Sequence, residues 1–227
     1  MVAPLSSSAL PRSATLDAAQ KSAQPHGVAH IAVVGSLHMD MVLTLDHMPQ
    51  AGETVLARQL RHVPGGKGAI QAVACARHGA QVTLFGCVGR DHQGNSLRLA
   101  LLDDGVNLEY VSVCEGVPTG TAVVLVESDG QNRICVVPGA NAWLALPEDA
   151  LLHVLAQVDF VVLQFETPQA VLAQTLEAAH SVGCRVVLNP SPAREIPAHW
   201  WSWVHTLVVN AQEAAALSGM PVDGPQT

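Results

Sequence analysis

The feature that most constrains the fold is a repeated order of short apolar strand, glycine-bearing turn and amphipathic helix, which begins at His30. The strand segments are rich in β-branched residues and show little alternation, as expected of strands buried on both faces of a sheet. These segments cover residues 30–35, 81–88, 160–164, 185–189 and 206–209. They predict a central parallel sheet.

Segments with helical spacing separate these strands, at residues 68–78, 91–103, 147–156, 168–181 and 211–218. Most are followed by a glycine, where a helix commonly ends in a left-handed residue. Strands that alternate with helices of this length predict βαβ crossovers. With 227 residues, 49% of them hydrophobic, the chain can also bury a substantial core. We therefore expect an α/β fold, a doubly wound αβα sandwich.

Two stretches break this alternation. Residues 41–45 with 54–63, and residues 121–126 with 132–137, have the pattern of strands that no helix separates. We expect them to form a small antiparallel sheet beside the ligand end of the sandwich, as a lid over a small-molecule site. A hairpin or edge extension without a binding role is the alternative.

Charge and composition exclude several function classes. The net charge is −8 and the only lysines are Lys21 and Lys67, so no basic stripe for nucleic acid is expected. The five cysteines lack zinc-site spacing, and no apolar run approaches the roughly 20 residues that span a bilayer. Residues 1–28, rich in Ser, Ala and Pro, are expected to be a disordered tail of a cytoplasmic protein. An organellar transit peptide is the alternative.

The strongest local motif is the glycine-rich turn at residues 64–71, which runs directly into a helix. Glycines let a backbone approach a ligand closely, and the free N–H groups of a helix N-terminus favour oxygen-rich or anionic ligands. The motif is not a Walker A loop, because it lacks the GxxxxGK[ST] spacing and the hydroxyl after Lys67. A simple helix entry is the alternative interpretation.

Carboxylates follow two of the predicted strands, at the edge where doubly wound sheets bind ligands. Asp40 can accept hydrogen bonds from two neighbouring sugar hydroxyls, and Glu166 lies just past the strand at 160–164. Both positions also suit turn or helix-capping acids. Asn210 and Glu213 have the spacing of a helix capping box, which explains them without a ligand.

Taken in order, the motifs of this chain resemble those of the ribokinases, within the PfkB family of carbohydrate kinases. The likeness runs from about His30 to Gly219. Its segments are Gly35-Ser36 through Asp40, Pro49-x-x-Gly52-Glu53-Thr54, Gly65-Gly66-Lys67-Gly68-Ala69, Val88-Gly89-x-Asp91-x-x-Gly94, Asp104-Gly105-Val106, Pro118-Thr119-Gly120, Pro138-Gly139-Ala140-Asn141, Glu166-Thr167-Pro168, Asn189-Pro190-x-Pro192-Ala193 and Asn210-x-x-Glu213. Each segment alone is weak, whereas the ordered series is specific.

The resemblance implies transfer of the γ-phosphoryl group of ATP to the 5-hydroxyl of D-ribose, with Mg²⁺ and a monovalent cation, K⁺. It implies that Asn210 approaches the ATP phosphates and that Glu213 belongs to the magnesium and water network. It also implies a ribokinase-like domain over residues 29–227 and a homodimer formed through the lid. The sugar contacts it implies are His38, Asp40, Gly66, Lys67, Gly68, Ala69, Ile70 and Glu166.

Three departures from the family pattern matter. Ile70 and His38 stand where ribokinases have asparagines, and a lost hydrogen bond to a buried ligand costs roughly 1–3 kcal/mol. We therefore expect weaker binding of ribose, or accommodation of another sugar. The family motif Asp-Thr-x-Gly-Ala-Gly-Asp, which supplies the anion hole and catalytic base, has no match, and Asp223-Gly224 is no substitute. We therefore expect a chain truncated at its C-terminus, to which no catalytic residue is assigned. A non-catalytic sugar-binding or regulatory remnant and a poorly folded product are the alternatives.

Overall fold

The computed structural model describes residues 27–222. Residues 1–26 of the predicted tail lie outside this range, as do Asp223 and Gly224. Ten strands are described: β1 His30–Val34, β2 His38–Leu45, β3 Gln59–Gly65, β4 Gln81–Gly89, β5 Asn107–Cys114, β6 Gly120–Glu127, β7 Asn132–Val137, β8 Phe160–Gln164, β9 Arg185–Asn189 and β10 Thr206–Leu207. The helices are α1 Lys67–Arg77, α2 His92–Asp103, α3 Glu148–Leu155, α4 Gln169–Val182 and α5 Ala211–Ser218, with short 3₁₀ helices at Gly139–Trp143 and Ala198–Trp203.

The central sheet has six strands in the order β10-β9-β8-β1-β4-β5, and all of its pairs are parallel. Its two faces carry separate clusters of buried apolar side chains. In β1, Val34 belongs to the cluster that includes residues of α3 and α4, whereas Val33 belongs to the cluster that includes residues of α1 and α2. The strand is thus buried on both faces, which confirms the predicted αβα sandwich.

Strand β5 was not predicted, because it does not have a continuous apolar run. Its buried residues, such as Leu108 and Val111, alternate with exposed ones, such as Glu109 and Ser112. This pattern follows from its place at the edge of the sheet, where one face is partly open to solvent.

The lid is a four-stranded sheet in the order β3-β2-β6-β7. Its outer pairs, β2 with β3 and β6 with β7, are antiparallel, but the central pair β2 with β6 is parallel, so the prediction of an antiparallel sheet was wrong for that pair. Strands β2 and β6 follow β1 and β5, two parallel strands that end at the same edge of the central sheet. Both lid strands leave that edge in the same direction, which makes them parallel.

No helix within residues 27–222 has the length and apolar character that a bilayer crossing requires.

Candidate functional site

The glycine turn, residues Gly65–Gly68, passes the end of β1 backbone to backbone. A Cβ on Gly68 would lie 2.6 Å from the Cα of Gly35, and a Cβ on Gly65 would lie 2.2 Å from Asp40 Oδ2. The amide of Ala69 donates to the carbonyl of Ser36 at 3.0 Å. Glycine is required because no side chain fits between these segments. The contact brings the start of helix α1 beside the start of the lid.

The carboxylate of Glu166 contacts or faces four other groups of the site. Its Oε2 accepts hydrogen bonds from Ser36 Oγ at 2.5 Å and from the backbone N of Lys67 at 3.0 Å. Lys67 Nζ lies 3.9 Å from Oε1, and His38 Nδ1 lies 3.9 Å from Oε2. Glu166, in the turn that follows β8, therefore binds Lys67 at the start of α1 and faces His38 at the start of β2.

His38 and Asp40, both on β2, carry polar atoms that are buried without a partner. These atoms are His38 Nε2 and Asp40 Oδ1. Burial lowers the pKa of His38, against the opposing effect of Glu166, so the imidazole is neutral at neutral pH. Burial and the charge of Glu166 raise the pKa of Asp40. Buried polar groups normally have partners, so each of these two atoms has an unused capacity for a hydrogen bond.

A cavity of about 680 Å³ opens beside Glu166 and Lys67. Ile134 and Val136 of the lid line this cavity, and so does Arg194. The Arg194 guanidinium lies 4.4 Å from the ring centroid of Phe165, and its Nη2 donates to Thr167 O at 3.3 Å. Sequence reasoning did not select Arg194, because a single arginine in a loop has no distinguishing pattern.

The structure brings most of the predicted sugar-site residues together, but not all. Ile70 is 56% exposed and lines a second cavity, between α1 and α2, with Val73 and Leu97. Ala69 is buried, and its N–H is already bonded to Ser36. The sugar contacts of Ile70 and Ala69 remain predictions.

Asn210 and Glu213 form the expected capping box at the start of α5. Asn210 Oδ1 accepts from Glu213 N at 2.8 Å, and Glu213 Oε2 accepts from Asn210 N at 3.0 Å. Among the described residues no group of three His, Cys, Asp or Glu side chains could hold a metal ion. The nucleotide and magnesium roles of these two residues also stay predictions.

Two hydrogen-bond networks, one partly buried and one buried, fix the base of the lid. Asp91 accepts from Thr119 N at 2.7 Å, from Thr119 Oγ1 at 2.6 Å and from Gly94 N at 2.7 Å. Asn141, fully buried, accepts from Leu37 N at 2.9 Å and donates to Leu37 O at 2.8 Å. Both residues lie in motifs that the sequence presents, but their role as lid anchors depends on contacts between distant segments.

The model of the pfkB family of carbohydrate kinases matches residues 28–226. The chain belongs to this family. Among similar proteins, the ribokinase of Bacillus subtilis is 40% identical over 190 residues, which are 83% of this chain and 64% of that protein. The ribokinase of Arabidopsis thaliana is 35% identical over 208 residues, 89% of this chain and 55% of that protein.

A solved structure of Arabidopsis thaliana ribokinase with ribose and ATP superimposes with a TM-score of 0.78 and 34% identity. The match covers 88% of this chain and 66% of that one. This pfkB-family chain thus has a ribokinase-like fold, and it spans somewhat less than two thirds of the length of the relatives it matches.

Proposed function

We propose that this protein is a ribokinase-type sugar kinase, which transfers the γ-phosphoryl group of ATP to the 5-hydroxyl of D-ribose. The observation that carries the proposal is that Asp40, His38 and Glu166 lie around the glycine turn, and that Asp40 Oδ1 has no hydrogen-bond partner. Family membership and the similarity to ribokinases support it.

Each of these groups has a distinct task in sugar binding. The Asp40 carboxylate accepts hydrogen bonds from two adjacent hydroxyls. Glu166 Oε2 and His38 Nδ1 lie 3.9 Å apart, a separation that one hydroxyl oxygen can bridge with hydrogen bonds of about 2.8 Å to both. The glycine turn packs closely on the segment from Gly35 to Asp40 and so brings the start of α1 beside these groups. The lid residues Ile134 and Val136 line the cavity beside Glu166 and give it an apolar wall.

The remaining partners follow from the family. ATP, Mg²⁺ and K⁺ are the proposed cofactors, with Asn210 approaching the nucleotide phosphates and Glu213 the magnesium network. When bound, the metal ion supplies charge stabilisation for the transferred phosphoryl group. Division into a tail, residues 1–28, and a kinase domain, residues 29–227, and a cytoplasmic location are parts of the same proposal.

The lid supports a proposed homodimer. All residues of β7, and all of β3 except Gly65, are exposed, and the lid presents Ile134 at 55% and Val137 at 56% exposure. A sheet with exposed apolar faces is stabilised by burial against another layer. A second copy of the lid provides such a layer. Ile134→Asp is expected to give monomers in sedimentation analysis, whereas the control Leu99→Asp, at an exposed position of α2, leaves the dimer intact.

A kinase of another sugar is the second candidate. His38 replaces the asparagine of ribokinases, and a deoxyribokinase of Salmonella typhimurium is 34% identical over 196 residues. The imidazole of His38 is bulkier than an amide, so it changes both the space and the hydrogen-bonding groups that are available to a sugar hydroxyl. A 2-deoxy sugar lacks one hydroxyl, and a site that hydrogen-bonds to that hydroxyl distinguishes the two sugars.

The proposal is tested by ADP release from ATP with Mg²⁺ and K⁺, with D-ribose and 2-deoxy-D-ribose as separate substrates. We expect turnover with D-ribose. Faster turnover with 2-deoxy-D-ribose would support the second candidate. Binding of D-ribose without turnover would indicate a non-catalytic sugar-binding protein, and binding of neither sugar would overturn the proposed site.

A further inference from the structure

Three side-chain amides form a continuous hydrogen-bonded chain across the carboxyl end of the central sheet. Gln164, the last residue of β8, donates through Nε2 to Gln71 Oε1 at 2.5 Å. Gln71, on α1, donates through Nε2 to Asn189 Oδ1 at 3.4 Å. Asn189, the last residue of β9, donates through Nδ2 to the carbonyl of Val208 at 2.8 Å. Gln164, Gln71 and Asn189 are called the amide chain below.

The direction of the amide chain is set by its last contact. A backbone carbonyl only accepts hydrogen bonds, so Asn189 must present its NH₂ group to Val208 and its oxygen to Gln71. Gln71 must then present its own oxygen to Gln164. Turning all three amides around would place Asn189 Oδ1 against Val208 O at 2.8 Å, two acceptors without a proton between them. Only one arrangement of the three amides avoids this repulsion.

The direction leaves one acceptor unpaired at the opposite end. Gln164 is fully buried, and its Oε1 has no hydrogen-bond partner. This oxygen lies beside the crossing of Gly35 and Gly68, since a Cβ on Gly35 would be 2.1 Å from it and 2.6 Å from the Cα of Gly68. An unpaired buried acceptor is destabilising, so a purely structural contact would favour an apolar side chain here.

The Gln164 end of the amide chain holds the glycine turn. Glu166 binds the amide of Lys67, the first residue of α1, and Gln164 binds Gln71 one helical turn later. Helix α1 is therefore attached at two points to the segment that ends β8. A displacement of the glycine turn must move Gln71.

The second end holds the strand that leads to α5. Val208 N donates to Leu188 O at 2.9 Å, and Val208 O accepts from Asn189. Both polar groups of Val208 are thus bound by β9, two residues before Asn210. We propose that Gln71 is a positioning residue, which through the amide chain keeps the glycine turn and the start of α5 in one arrangement. Sugar binding at the glycine turn then stabilises the segment before Asn210, where the nucleotide phosphates are proposed to bind. The inference rests on the proposed function only where it assigns sugar binding to the glycine turn and nucleotide binding to the start of α5.

The test compares isosteric variants of the ligand-free protein by amide hydrogen exchange in NMR. Gln71→Glu keeps the acceptor for Gln164 and removes the donor to Asn189. Asn189→Asp keeps the acceptor for Gln71 and removes the donor to Val208. Either change is expected to speed exchange of the Val208 amide about tenfold, the effect of roughly one lost hydrogen bond on local opening. Gln157→Glu, at an exposed site of the α3 end, is the control and leaves that rate unchanged.

The wild-type protein provides an independent readout. The side-chain NH₂ groups of Gln164, Gln71 and Asn189 are expected to exchange slowly, and Asn189→Asp is expected to leave those of Gln164 and Gln71 protected. Fast side-chain exchange in the wild type, or unchanged Val208 exchange in both variants, would overturn the inference even if D-ribose does not bind.

Adding D-ribose separates this inference from the proposed function. In the wild type, D-ribose is expected to slow exchange at both Lys67 and Val208. In Gln71→Glu, slowing at Lys67 remains and slowing at Val208 is lost. If D-ribose slows exchange at both residues in the variant, transmission through Gln71 is refuted while sugar binding stands. If the wild type binds no sugar, the proposed function fails and the ligand-free comparison still decides whether the amide chain holds Val208.

Discussion

Replacement of Gly66 by alanine is expected to disrupt the glycine turn through two separable effects. Gly66 has φ 91° and ψ 132°, a conformation that is strained for a residue with a Cβ, at a cost of roughly 1–3 kcal/mol. The Cβ would also lie 2.7 Å from both His38 N and Ser36 O and 2.9 Å from Leu37 Cα. Overpacking of this kind adds roughly 1–3 kcal/mol. The expected loss of unfolding free energy is therefore about 2–6 kcal/mol.

Gly79, at the other end of α1, is the matched control. Its φ is 89°, and a Cβ there would meet no atom within 4 Å. Gly79→Ala is expected to cost only the backbone strain, roughly 1–3 kcal/mol. Urea denaturation of both variants gives the difference, expected at about 1–3 kcal/mol, and D-ribose titration of the folded fraction should show weakened binding for Gly66→Ala alone. Equal losses of stability and unchanged sugar affinity in both variants would refute the close-contact account of the turn.

Three further predictions concern polar groups that are buried or partly buried. Asp91→Asn is expected to lower the free energy of unfolding by about 2–3 kcal/mol at pH 7, because hydrogen bonds to a charged acceptor are weakened. Burial opposes ionisation of Asp91, but hydrogen bonds from Thr119 and Gly94 lower its pKa below 3.8. The wild type therefore loses its advantage as pH falls through the folded-state pKa, and the urea midpoints of the two proteins should converge in acid. Asp40→Asn is expected to raise the melting temperature at pH 7, because the raised Asp40 pKa means that stability is lost as pH rises through it; calorimetry at pH 7 and in acid should show the gain only at pH 7. Asn141→Ala is expected to cost about 2–4 kcal/mol in urea denaturation, since it leaves buried backbone groups unpaired, whereas Asn95→Ala, at an exposed position, should cost under about 0.5 kcal/mol.

The central sheet was predictable because burial on both faces leaves a direct signature in the sequence. The predicted segment Phe160–Gln164 is apolar up to its last residue and matches its strand residue for residue. The edge strand Asn107–Cys114 lacked that signature, because one of its faces is open. The parallel pairing of β2 with β6 could not be read locally, since it depends on where β1 and β5 end in the sheet.

The site was predictable where a residue follows a strand end. Asp40 and Glu166 were selected on that ground, and the structure places both beside the glycine turn. Ile70 was selected through the family resemblance alone, which does not report which face of α1 a side chain occupies, so its 56% exposure could not be anticipated. Residues that act through distant partners, such as Gln71 with Gln164, carry no local pattern at all.

The central claim is that the strand ends and the glycine turn of this chain form a sugar site, and calorimetric titration with D-ribose tests it most directly. The wild type is expected to bind one D-ribose per chain with saturation. Asp40→Asn is expected to abolish this binding, whereas Asp149→Asn, the same change at an exposed position of α3, should preserve it. A wild-type protein that unfolds cooperatively yet shows no saturable heat with D-ribose, or an Asp40→Asn variant that binds as tightly as the wild type, would contradict the account.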